Sequence, residues 1–313
     1  MSHGTNRQVK NLLDVSNDEK RNFLNSFDYV LTDCDGVIWT VIKPIEGAGE
    51  GITSLQENGK RVIFISNNSV RPHEKYVEKF KEGNINASMD DVLHPSIACV
   101  CYLRKINFKG LIYCIGSAEF KKKLKEAGYE YIDGPHEKIE DFATLWKAVK
   151  DDNPVKAVII DSDFNVSSTI LIRAEIYLKN PECLFIAGTT DMMLPITKSF
   201  KIIGVGPYYK ILEEASGRRA VVVGKPGDAL KDIVIDKYNI KDPKRVLFVG
   251  DTLEQDIGFG TKCGFKTVLV MTGSTSKMDI LTHPKKQELP DYYLENIGDF
   301  SKVFEDIKVM NKI

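Results

Sequence analysis

The sequence predicts an α/β protein: a doubly wound parallel-sheet core with a second α/β domain inserted into it. Three observations predict this. Short β-branched runs alternate with helical stretches of about ten residues or more, the pattern of strands buried on both faces. Four of these runs end in a polar or glycine-containing cluster, as strands do where they reach a ligand-binding edge. Between Ser69 and Ala220 the chain makes a separate β-α-β alternation, long enough for a domain of its own.

In chain order, Tyr29–Thr32 runs into Asp33-Cys34-Asp35-Gly36 and Arg61–Ile65 into Ser66-Asn67-Asn68. Ala220–Val223 runs into Gly224-Lys225-Pro226 and Arg245–Val249 into Gly250-Asp251, and Thr267–Met271 is the fifth run. Right-handed crossovers would align the ends of all five along one edge of the core sheet. Within the insert, strands are expected at Leu111–Ile115, Ala157–Ile160 and Leu184–Ala187, with helices at Glu119–Glu126, Asp141–Val149 and Thr169–Leu178. Polar and glycine-containing stretches near Lys105–Gly110 and Thr197–Gly206 mark the junctions, so the insert is expected at 107–203, with 1–106 and 204–313 forming the core. The Lys121–Lys123 run reads as the solvated face of a helix.

Length and composition agree with that division. At about 150 residues per domain, 313 residues suggest two domains. Apolar residues make up 42% and charged residues 28%, which excludes a disordered chain. Lys plus Arg is 43 and Asp plus Glu is 44, leaving −1, a balance that argues against nucleic acid or an anionic membrane as the main partner. The six cysteines include one C-x-C pair, Cys99 and Cys101, and no zinc spacing, so free thiols in a cytoplasmic protein are expected. Met1–Lys20 has no apolar stretch suited to a secretory signal. The longest charge-free runs, Val92–Leu103 and Thr267–Ser276, are twelve and ten residues, against about 20 for a membrane span.

The strand-end clusters carry the chemistry. Asp33 and Asp35 would point to one side if the strand conformation continued, and Gly36 would then turn the chain away. Carboxylates that close need a cation between them or a shared proton, although Asp-Gly also serves as a plain turn. Asp251 is expected at a helix N-cap with Asp256 a turn and a half further on, and a set of oxygen ligands without His or Cys favours Mg²⁺. Lys225, between Gly224 and Pro226, could neutralise a phosphate or ease repulsion among carboxylates. Ser66-Asn67-Asn68-Ser69 offers hydroxyl, amide and backbone donors at a helix start, which suits an anion as well as a helix cap.

Taken in order, Asp33-x-Asp35-Gly36-Val37, Ser66-Asn67-Asn68, Gly224-Lys225-Pro226 and Gly250-Asp251-x-x-x-x-Asp256 resemble the four motifs of the haloacid-dehalogenase (HAD) superfamily. An insert between the second and third motifs resembles its C2-type cap. The stretches Gly47–Leu55, Ser66–Ser69, Asn180–Cys183 and Ala215–Arg218 further resemble the eukaryotic 4-nitrophenylphosphatase subgroup, which includes phosphoglycolate, glycerol-3-phosphate and pyridoxal-phosphate phosphatases.

The resemblance implies a Mg²⁺-dependent phosphatase for small phosphate monoesters. Asp33 would be the nucleophile and Asp35 the general acid and base. The metal would be held by Asp33, the backbone carbonyl of Asp35, and Asp251, with Asp256 acting from outside. Ser66, Asn67, Asn68 and Lys225 would bind the phosphoryl oxygens. A homodimer through the cap is the protein partner it leaves room for. Two alternatives stay open: a phosphotransferase or mutase passing the aspartyl-phosphate to a sugar hydroxyl, and a catalytically idle HAD-like binding protein. The insert departs from the family pattern, with Asp161-Ser162-Asp163-Phe164-Asn165 where relatives commonly carry G-x-D. Met192 and Met193 would be either a flexible apolar wall facing substrate or cap core, and Asp191 would disfavour a second anionic group unless it points away.

Overall fold

A computed structural model describes residues 9–40, 42–195, 200–285 and 288–309. In chain order the strands are β1 (Lys10–Asn11), β2 (Tyr29–Thr32), β3 (Arg61–Ile65), β4 (Val92–Leu93), β5 (Leu111–Ile115), β6 (Tyr131–Ile132) and β7 (Val155–Ile160). There follow β8 (Leu184–Ala187), β9 (Met193–Pro195), β10 (Lys201–Ile203), β11 (Val221–Val222), β12 (Val246–Gly250), β13 (Lys266–Val270) and β14 (Tyr292–Leu294). By their contacts the described residues divide into two compact units. The first comprises the described residues within Met1–Ile65, His73–Leu93 and Ile240–Ile313, and the second those within Ser66–Pro72 and His94–Asn239.

The first unit is built on a parallel sheet of order β1-β14-β13-β12-β2-β3-β4. Strands β2, β12 and β13 are buried almost throughout, which is why they read as unbroken apolar runs without alternation. Val30, Phe64, Leu247 and Val268 belong to one core with Ile52 and Leu55 of the helix Ala48–Glu57 and Phe300 of the helix Asp299–Val309. Each such side chain contributes about 1.5–3 kcal/mol on burial. From β2 the chain moves one way to β3 and β4; from β12 it moves the other way to β13 and β14. The order therefore reverses between β2 and β12, and the loops leaving those two strands open on the crevice that results.

The second unit has its own parallel sheet, β11-β8-β7-β5-β6, and an antiparallel pair, β10-β9. The expected strands and helices of the insert are present with ends shifted by one or two residues. The helices are Ala118–Glu126, Phe142–Val149 (capped by Asp141) and Ser168–Leu178.

Several expectations need correction. The run expected over Ala220–Val223 forms only Val221–Val222, and it pairs with β8 of the second sheet rather than with a core strand. An apolar run has no preference between two parallel sheets, so its partner was not readable locally. The contact-defined second unit is wider than 107–203, because the helix Pro95–Lys105 packs on the helices Ala118–Glu126 and Asp228–Tyr238. The junction expected at Thr197–Gly206 begins on residues outside those described, as does the start of Met1–Lys20. Lys121 is not merely solvated: it is half-buried and pairs with Asp133 at 2.6 Å. The six cysteines are free thiols, and among the described residues no helix is long and apolar enough to cross a membrane.

Candidate active site

Two clusters of polar residues form, one in each unit. In the first unit β2 ends at Thr32, and Asp33 continues its pairing by donating its N–H to Val249 O of β12 at 2.9 Å. The next residues leave the sheet at once. Cys34 O accepts the N–H groups of Val37, Ile38 and Trp39, and Gly36 N–H donates to Trp39 O at 2.7 Å. Gly36 has φ +89, and a Cβ there would lie 2.8 Å from the Asp251 carboxylate. Glycine thus allows both the left-handed turn and the close approach of two acidic loops.

Strand β12 ends at Gly250, and Asp251 and Asp256 follow in a tight loop. The helix N-cap position expected for Asp251 belongs to Thr252 instead, ahead of a single π-helical turn at Leu253–Ile257. The wider turn lets Asp256 reach back. Its Oδ2 accepts Asp251 N–H at 3.1 Å, Thr252 N–H at 3.0 Å and the Thr252 hydroxyl at 2.7 Å. Asp256 therefore orders the loop that presents Asp251. A further loop, after β13, closes on the same residue: Ser274 N–H donates to Asp251 Oδ2 at 3.0 Å and the Thr275 hydroxyl to Asp251 O at 2.5 Å. The Thr272 hydroxyl donates to Gly36 O at 2.6 Å. Thr272-Gly273-Ser274-Thr275 is a strand-end polar cluster like the other four, and that was the signal by which it could have been found.

Asp33, Asp251 and Asp256 each offer a carboxylate oxygen within 4.8 Å of the others, and Asp251 and Asp256 are buried. Such a set is stable with a cation among its members, and all-oxygen donors suit a hard divalent ion. The residues fit a metal. The Asp35 carboxylate lies outside this group.

The second unit gathers the other predicted residues. Ser66 follows β3 directly, but the segment 66–72 is a loop and not a helix start; the next helix begins at His73. The Ser66 hydroxyl accepts Asn68 N–H at 3.1 Å, and Asn68 Oδ1 accepts Val70 and Arg71 N–H at 3.2 and 3.0 Å. Asn67 is bound to Lys225 in both directions: Asn67 Oδ1 accepts Lys225 N–H at 2.9 Å, and Asn67 Nδ2 donates to Lys225 O at 3.0 Å. Residues 158 apart in sequence are thereby fixed side by side. Lys225 is only 1% exposed, and an ammonium so deep is tolerable only beside anionic or carbonyl oxygens. Asp191 Oδ2 accepts Asn67 Nδ2 at 2.9 Å and the Thr189 hydroxyl. Met192 and Met193 are 44% and 46% exposed, so neither is core.

Comparison with known proteins agrees with this chemistry. A model of haloacid dehalogenase-like hydrolases matches residues 30–130, and a HAD-hydrolase-like model matches 222–300. Phosphoglycolate phosphatase 1A, chloroplastic, of Arabidopsis thaliana is 35% identical over 286 residues, 88% of this chain and 77% of that one. Glycerol-3-phosphate phosphatase of Rattus norvegicus is 32% identical over 301 residues, 91% of this chain and 93% of that one. The structure of p-nitrophenyl phosphatase from Archaeoglobus fulgidus superposes with a TM-score of 0.74 at 25% identity, covering 88% of this chain and 99% of that one. The chain belongs to the haloacid-dehalogenase-like hydrolases. Within that class it is a phosphatase, a phosphoric monoester hydrolase.

Proposed function

We propose that this phosphatase hydrolyses small-molecule phosphate monoesters through an aspartyl-phosphate formed on Asp33. The observation that carries the reading is the meeting of the Asp33, Asp251 and Asp256 carboxylates where the strand order reverses. One oxygen of Asp33 attacks phosphorus, the ester P–O bond breaks, and the departing oxygen takes a proton from Asp35. Asp35 then removes a proton from water, which attacks the phosphorus and releases inorganic phosphate and the free Asp33 carboxylate. Ser66, Asn67, Asn68 and Lys225 bind the phosphoryl oxygens, where charge must be stabilised during transfer.

Asp33, the Asp35 carbonyl and Asp251 would hold Mg²⁺, with Asp256 ordering the loop from behind. Once bound, the ion offsets the negative charge of nucleophile and phosphoryl group. Phosphoglycolate and glycerol 3-phosphate, named by the relatives, and pyridoxal phosphate are the candidate substrates. Free thiols fit a cytoplasmic location, and the residues around 107–203 are the proposed face for a second copy of the chain.

The test is phosphate release with Mg²⁺ from 4-nitrophenyl phosphate and from each candidate ester, with and without a chelator. Release that stops on chelation and returns with Mg²⁺ is expected. Phosphate appearing on an added sugar rather than in water would establish the transferase instead. Silence on every ester from folded, Mg²⁺-loaded protein would leave a binding protein.

A further inference from the structure

The order of the second sheet reverses between β5 and β7: from β5 the chain moves outward to β6, and from β7 it moves the other way to β8 and β11. In a parallel sheet this is where a ligand-binding crevice opens. Ser69, the last residue of the Ser66–Ser69 segment, is held at that point. The Ser117 hydroxyl, just past β5, donates to Ser69 O at 3.1 Å. The Ser69 hydroxyl donates to Oδ1 of Asp161, the first residue after β7, and the same Oδ1 accepts Ser162 N–H at 2.5 Å. Asp161 is 1% exposed, and its Oδ2 has no well-formed hydrogen bond among the described residues, although the Thr189 N–H acts on the carboxylate. Oδ2 lies against Gly188, the first residue after β8, where any Cβ would overlap it.

A buried carboxylate with one oxygen doubly bonded and the other without a well-formed bond is costlier as an anion than as an acid. Burial pushes the Asp161 carboxyl up to about 7; the Ser69 hydroxyl and the N–H groups of Ser162 and Thr189 oppose this, and the nearby Asp191 carboxylate adds to it. Asp161 also acts on the thiols of Cys99 and Cys114, both held neutral by burial. Lys121 and Asp163 act on Cys114 in turn. A cavity of about 140 Å³, lined by Ile115, Ile160, Asp161, Ser162 and Tyr208 among others, gives water a route for proton exchange.

We infer that Asp161 is a positioning residue for the phosphate-binding segment: it anchors Ser69 in either protonation state, and on ionising its charge weakens the segment's hold on a phosphoryl anion. The ionised form adds a negative charge to the unit that contains Asn67 and Lys225, and it repels Asp191, whose Oδ2 holds Asn67 in place. Neither this carboxylate nor its contacts belong to the groups that attack phosphorus or exchange protons with the ester. The inference rests on the phosphatase reading, and its test separates the two.

The experiment compares wild type with Asp161→Asn, which keeps an Oδ1 acceptor for Ser69 and Ser162 but cannot ionise. KM and kcat are measured across the neutral range on one ester, and the Kd of inorganic phosphate by calorimetry. The substrate's own titration cancels in the ratio of wild type to variant. The KM and Kd ratios are expected to be near unity at acid pH and to rise about three- to fivefold above neutrality, with a flat kcat ratio. Ser69→Ala, which removes a donor to the carboxylate, should move the midpoint of the wild-type KM change to higher pH. Flat KM and Kd ratios, a midpoint unmoved in Ser69→Ala, or no phosphate binding at all would overturn the inference. Absent turnover with a pH-dependent Kd ratio would sink the phosphatase reading and leave this one standing.

Discussion

The Oδ2 atom of Asp256 accepts the backbone N–H of Asp251 at 3.1 Å, so one buried acid sets the conformation from which a second acid presents its carboxylate. With Thr252 supplying two more donors to the same oxygen, Asp256→Ala leaves three polar hydrogens without an acceptor. The expected loss is about 2–4 kcal/mol, read by urea unfolding. The Mg²⁺ concentration for half-maximal activity should rise as well. Asp256→Asn, which keeps one acceptor oxygen, should recover part of the stability. An unchanged Mg²⁺ requirement in both variants would count against the ordering role.

Asp33→Asn should abolish turnover with little change in stability. Its Oδ1 accepts Cys34 N–H at 2.7 Å, a bond that an amide oxygen can keep. A fall in kcat on the order of 10³-fold or more is expected, with an unaltered melting temperature. For Asp35→Asn the loss should be about 10²–10⁴-fold and greatest for esters with poor leaving groups. Substantial activity in Asp33→Asn would remove it as nucleophile.

Gly36→Ala combines two penalties. The left-handed φ of +89 costs an alanine about 1 kcal/mol. Its Cβ would also sit 2.8 Å from the Asp251 carboxylate and displace it. Metal titration followed by calorimetry should show weakened Mg²⁺ binding out of proportion to the small loss in stability.

Asn67→Ala removes both bonds to the Lys225 backbone and the one to Asp191. Phosphate binding should weaken about tenfold or more, given about 1–3 kcal/mol for each polar group left unpaired. Lys225→Met, which keeps the length of the stem and deletes the charge, should depress kcat and affinity together. A phosphate Kd unchanged in both variants would place the anion elsewhere.

The Asp161 carboxyl makes stability depend on pH in a direction opposite to that of a salt-bridged acid. Its pKa is near 7 folded and about 3.9 unfolded, so between these values the folded chain holds the extra proton. The stability it contributes is complete below the unfolded value and is lost as pH rises through the folded one. Relative to wild type, Asp161→Asn should therefore gain stability from about pH 4 to about pH 7 and level off above, by up to about 4 kcal/mol. Urea unfolding at a series of pH values gives the comparison, and a difference independent of pH would contradict it. Gly188→Ala, whose Cβ would overlap Asp161 Oδ2, should destabilise the second unit outright.

How much of this was legible depended on whether a feature is local. Apolar runs at β2, β3, β5, β7 and β8 and the acidic or polar tails of β2 and β12 are patterns of adjacent residues, and each appears where the sequence puts it. The N-cap expected at Asp251 failed because a π-turn shifted the cap to Thr252, and such a turn leaves no mark in residue order. Thr272–Thr275 escaped notice because small hydroxyl residues after a strand look like any turn until Asp251 is seen among them.

The sequence by itself determined the class of fold, the presence of the acidic motifs and of the Ser66–Asn68 and Lys225 motifs proposed to bind phosphate, and the strand ends that carry most of them. Those properties follow from spacing and residue chemistry over a few positions. The tertiary structure decided which sheet β11 joins, that Asn67 clasps Lys225 across 158 residues, and that Asp161 lies buried against Gly188 with Ser69 on one oxygen. The physical reason is that burial and hydrogen-bond partners are set by what the chain brings together from far apart. A carboxylate has the same letter in a turn, at a metal or in a core, and only its surroundings fix its charge.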